Sequence, residues 1–120
     1  MNLLAEALIA AISLFHVLTF YLESVAWQTP GAMRLFRATP ESAAATRVLA
    51  LNQGVYNLFL AAGLAWSLIA PEPTGFQAKL FFLACVTIAG LVGGISVSKR
   101  IFAFQALPAL IALALVIMYR

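Results

Sequence analysis

A histidine, a glutamate and a cluster of amides stand inside long apolar stretches of this 120-residue chain. His16 and Glu23 are seven residues apart, close to two helical turns, so a helix through this stretch carries both on one face. Asn52, Gln53, Tyr56 and Asn57 crowd a second stretch, and Gln105 stands near the start of a later one. Polar groups in such surroundings are costly unless they face a partner, a cavity or a ligand. An imidazole beside a carboxylate can pass a proton to or from a bound molecule. Neighbouring amides and a phenol can hold a carbonyl or hydroxyl group in place. His16 and Glu23 are therefore the candidate catalytic residues. Asn52, Gln53, Tyr56, Asn57 and Gln105 are the candidate ligand-binding residues.

The elements that carry them belong to a membrane. The chain is 64% hydrophobic and 9% charged, where a soluble domain has about 25% charged residues. A net charge of +3 does not point to nucleic acid, because the basic residues form no stripe. Arg34, Arg37, Arg47, Lys79, Lys99, Arg100 and Arg120 instead bracket apolar runs, as anchors at a bilayer surface do. Cys85 is the lone cysteine and His16 the lone histidine, so no disulfide, metal site or cofactor is expected. The N-terminal run has Glu6 where a secretory signal would have basic residues, and it is read as a retained span.

A helix needs about 20 apolar residues to cross a bilayer core. The runs at approximately 3–27, 48–70, 80–98 and 101–119 qualify. Gln28-Thr29-Pro30-Gly31 closes the first, and Pro71-Glu72-Pro73-Thr74-Gly75 separates the second from the third. None shows the alternation of a barrel strand. The expected fold is all-α, a single integral-membrane four-helix bundle over residues 1–120.

Loops one and three hold Arg34, Arg37, Arg47, Lys99 and Arg100, against Lys79 and Arg120 on the other side. The excess puts those loops in the cytoplasm and both termini outside. His16 then lies roughly 10 Å deeper than Glu23 at the rise of a helix, at a depth similar to Asn57. The polar residues collect in the cytoplasmic half and would line a pocket open to that side. Their alternative role is interhelical bonding, worth roughly 0.6–2 kcal/mol per contact. Gly90 and Gly94 form a small-residue face that packs either within the chain or across a homodimer. Pro108 removes a backbone bond and bends the fourth span beside Gln105.

These residues resemble a family of small bacterial membrane proteins filed as domain of unknown function 1304. The resemblance rests on His16, Tyr21-Leu22-Glu23, Asn52-Gln53-Gly54-Val55-Tyr56-Asn57, Ala61-Ala62-Gly63-Leu64, Gly90 and Gln105-Ala106-Leu107-Pro108. It implies a four-span protein of the bacterial cytoplasmic (inner) membrane and no particular activity.

The functional expectation is a cytoplasm-facing intramembrane pocket for a small, partly apolar ligand, with isomerase-type proton transfer as its chemistry. One alternative is a small dimeric proton-coupled transporter. Another is an accessory protein whose polar cluster only packs helices. The expected partners are the lipid bilayer and a lipid-soluble small molecule.

Overall fold

The computed structural model describes residues 2–120, and every regular element among them is helical. The order is α1 (Leu3–Phe20), a π-helical turn (Tyr21–Val25), α2 (Pro30–Leu35), α3 (Pro40–Ala45), α4 (Arg47–Ile69), α5 (Thr74–Ser96), a second π-helical turn (Phe102–Ala106) and α6 (Leu107–Met118). Leu3–Val25, α4 and α5 are each long and apolar enough to cross a membrane, with mean hydropathies of 2.0, 1.4 and 2.0. Only 28%, 33% and 33% of their most apolar stretches are buried within the chain, so most of that apolar surface needs a lipid or protein neighbour. Phe102–Met118 is apolar but shorter. At the rise of an α-helix it covers about 25 Å, slightly less than a bilayer core. Lys99, Arg100, Tyr119 and Arg120 at its two ends are suited to anchor such a short span.

Local chemistry sets the boundaries. The Asn2 side chain accepts from Ala5 N at 3.0 Å and starts α1. Thr29 and Thr39 cap α2 and α3, each followed by proline at the first helical position. Thr39 and Ser42 exchange reciprocal bonds, Ser42 N to Thr39 Oγ1 at 3.1 Å and Thr39 N to Ser42 Oγ at 2.9 Å. The loop expected between the first two spans is thus partly helical.

The helix α5 begins at Thr74, six residues before the apolar run at Leu80. Glu72 is the reason: its Oε2 accepts from Phe76 N at 3.1 Å and satisfies an end of the helix that Thr74-Gly75 would otherwise read as loop.

The chain divides into two compact units. The first comprises the chain up to Leu14 together with Leu60–Arg120. Its core holds Ile9, Ile12, Leu64, Leu83, Val86, Ala109 and Ala112. Small residues let its helices approach closely. A Cβ on Gly90 would lie 2.5 Å from Ala106 N, and Gly94 lies under the ring of Phe102. The glycine face of α5 is therefore filled from within the chain. Ser13 Oγ donates to Ala61 O at 2.8 Å in the same unit.

The second unit is Phe15–Phe59, which contains the end of α1, its π-turn, α2, α3 and the beginning of α4. Ser24 Oγ donates to Leu51 O at 2.9 Å. Trp27 Nε1 donates to Ala43 O at 3.1 Å and Thr46 Oγ1 at 3.2 Å, tying the α3 region to the end of the π-turn. Its indole also packs on Phe36 with ring centres 5.1 Å apart. Ala38 N donates to Met33 O at 2.8 Å and Arg37 N to Arg34 O at 3.4 Å, which closes α2 in a Schellman motif. Arg37 holds the left-handed position with φ 53°, where glycine is the usual residue.

Candidate functional site

On α4, Ala50, Gly54 and Asn57 are buried in the second unit, at a spacing that marks one face. Gly54 fits there because a side chain would run into Phe20 O and the backbone and hydroxyl of Ser24. That close approach brings Asn57 to the π-turn. Asn57 Nδ2 donates to Glu23 Oε1 at 2.7 Å and to its own helix at Gln53 O, 3.1 Å away.

Glu23 sits in the middle of the π-turn, where Ala26 N bonds back to Tyr21 O at 2.9 Å. This wider turn changes the direction of its side chain relative to an unbroken α-helix. The seven-residue spacing from His16 therefore does not carry over as two α-helical turns. His16 itself is 1% exposed, with its ring nearly perpendicular to that of Phe15 at a centroid distance of 5.5 Å.

The remaining candidates are arranged differently. Asn52 Nδ2 turns back to Val48 O at 2.8 Å, on an exposed part of α4. Gln53 is exposed and contributes its backbone carbonyl, not its amide, to the Asn57 contact. Tyr56 is exposed and packs edge-on against Phe59 at 6.3 Å. Gln105 lies in the first unit, half-buried on the second π-turn. That turn is closed by Leu107 N bonding to Phe102 O, immediately before Pro108. The wider loop forms where proline interrupts the regular ladder.

A cavity of about 390 Å³ borders Glu23 in the second unit. Its lining includes Ser24, Trp27, Gln28, Thr29, Arg47 and Leu51. These residues had no place among the sequence candidates. Arg47 reads in sequence as a membrane anchor, and Gln28-Thr29 reads as the end of a span. Only the fold around Trp27 turns them to one space. The cavity joins a carboxylate, hydroxyls, an amide, a guanidinium and an apolar wall. That combination can hold the polar end of a small molecule while its apolar part lies on Leu51 and Trp27.

A family model described as "Protein of unknown function (DUF1304)" matches residues 9–117. No curated protein and no solved structure matches the chain.

Proposed function

The chain belongs to the DUF1304 family, whose description names no activity, and we propose from its geometry that the second unit is a binding site for a small, partly apolar molecule. The observation that carries this reading is the Glu23–Asn57 pair, 2.7 Å apart, with Glu23 also on the wall of a cavity of about 390 Å³. Asn57 orients the carboxylate, and Arg47, Ser24 and Thr29 offer further polar contacts. Glu23 exchanges a proton with the bound molecule, the step expected of isomerase-type chemistry. His16, buried on α1, and the exposed amides Asn52 and Gln53 with Tyr56 support the site or its entrance. The excess of basic residues around α2 and α3 supports a cytoplasmic position for this end in the bilayer. We read the protein as one of the cytoplasmic membrane.

A second reading has its own observation. The Asn57–Glu23 and Ser24–Leu51 bonds both join the α1 end to α4 and could serve packing alone. Such bonds are individually worth about 0.6 kcal/mol on average in a membrane, so no one of them decides the fold.

Glu23→Gln separates the two readings. The Gln carbonyl still accepts from Asn57, while the ionisable carboxyl group that gives and takes the proton is lost. Mass spectrometry of small molecules that co-purify with the protein is the measurement. A molecule retained by the native chain and lost from folded Glu23→Gln supports the binding site. Equal retention, or no retained molecule with either chain, favours the packing network.

A further inference from the structure

A second cavity, of about 430 Å³, lies in the first unit where the start of α1 meets the start of α5 and the end of α6. Its lining is mostly apolar, with Ile9, Phe76, Leu115 and Val116, and also carries Glu6, Glu72, Lys79 and Arg120. The two cations are under-used. Lys79 Nζ is 3.9 Å from Glu6 Oε1, an ion pair too long for a hydrogen bond, and its side chain is only 13% exposed. An ammonium has three donors to satisfy, and among the described residues it satisfies none of them. The Arg120 guanidinium lies 4.9 Å from the centre of the Phe76 ring and forms no ion pair among the described residues. Of the two carboxylates, Glu72 accepts a hydrogen bond from the Phe76 amide, while Glu6 has the same long approach to Lys79.

We propose that this cavity binds the head of a phosphatidylethanolamine-type lipid from the surrounding bilayer, with its phosphodiester on Lys79 and Arg120 and its ammonium on Glu72. The assignment follows from charge and hydrogen bonding. The side chains of two cations and two carboxylates line the cavity, so a purely anionic head meets Glu6 and Glu72, and a purely cationic head meets Lys79 and Arg120. A head that carries both charges suits all of them. The phosphodiester supplies the acceptors that Lys79 lacks. A primary ammonium can donate to the second oxygen of Glu72, whereas the trimethylated ammonium of a choline lipid has no N–H to give. The acyl chains continue over the apolar lining residues. This site is independent of the pocket beside Glu23 and rests only on the chain lying in a membrane.

The test uses the full chain, purified in detergent, stripped of lipid and mixed with phosphatidylethanolamine, phosphatidylcholine or phosphatidylglycerol. Native mass spectrometry reads the bound lipid. One retained phosphatidylethanolamine, preferred about tenfold over the other two, is the expected result. Lys79→Met and Arg120→Gln weaken its retention by a similar factor. Glu72→Gln, which still accepts from Phe76 N, removes the preference for ethanolamine over choline. Should Lys79→Met fail to fold, the other two substitutions still decide, since Glu72 and Arg120 are exposed. Equal retention of the three lipids, or unchanged retention in Arg120→Gln, overturns the proposal.

Discussion

Asn57 and Glu23, 34 residues apart in sequence, are joined by a 2.7 Å bond from the amide to the carboxylate. The bond exists because two local features coincide. Gly54 lets α4 approach the backbone of Phe20 and Ser24, and the π-turn at Tyr21–Val25 carries Glu23 toward that contact. Either feature alone leaves the two side chains without a shared position.

Gly54→Ala should therefore separate them. Its new methyl group meets the carbonyl of Phe20 and the backbone of Ser24, which cannot move aside cheaply. The cost expected for such overpacking is about 1–3 kcal/mol. Thermal unfolding in detergent checks the stability, and retention of the co-purifying molecule checks the site. Native behaviour in both would mean that α1 and α4 pack less tightly than described.

Gly90→Ala and Gly31→Ala make a second, internally controlled comparison. A Cβ on Gly90 lies 2.5 Å from Ala106 N and 2.8 Å from Ala106 Cα, whereas nothing lies within 4 Å of one on Gly31. The first substitution should lower stability by about 1–3 kcal/mol. The second should be neutral or stabilising by up to about 1 kcal/mol. Equal melting temperatures for the two variants would contradict the packing of α5 against the second π-turn.

Arg37→Gly should stabilise the end of α2. Arg37 occupies a left-handed conformation that disfavours side chains by roughly 1–2 kcal/mol, and glycine removes that penalty. Slower amide exchange at residues 37 and 38 is the expected reading. Faster exchange would mean that the Arg37 side chain contributes more to this turn than its backbone strain removes.

Much of the fold can be read from the sequence because a bilayer imposes a length. The long apolar runs around Leu3, Val48, Leu80 and Ile101 declare themselves as helices. Where α5 begins does not, since Thr74-Gly75 looks like loop until the Glu72 carboxylate is seen capping Phe76. The π-turns leave no pattern either, because one inserted residue changes no composition. They matter for the site. Depth along the helices puts Asn57 level with His16, roughly 10 Å from Glu23, and helical spacing puts Gln53 beside Asn57, so neither shows the Glu23–Asn57 pair. In the structure the small residues Ala50 and Gly54 set the buried face, and the Gln53 side chain stays outside it. Arg47, Ser24 and Thr29 reach the cavity through the fold of the loop around Trp27, which no spacing rule encodes.

That loop gives another test. Trp27→Phe keeps an aromatic body against Phe36 and removes the N–H that serves Ala43 O and Thr46 Oγ1. The loss should be about 1 kcal/mol, felt in the second unit. Hydrogen exchange should accelerate over residues 43–47, and the cavity beside Glu23 should lose affinity for its ligand. Unchanged exchange there would show that the indole N–H does not hold α3 in place.

The central claim is that the space beside Glu23 receives a ligand. An experimental map of the protein in a lipid environment tests this most directly, read between Glu23, Ser24, Arg47 and Leu51. The account predicts discrete density there, within hydrogen-bonding distance of the Glu23 carboxylate and absent from the Glu23→Gln protein. A cavity closed by side chains, with Glu23 bonded to Asn57 and no other density in both proteins, would contradict it.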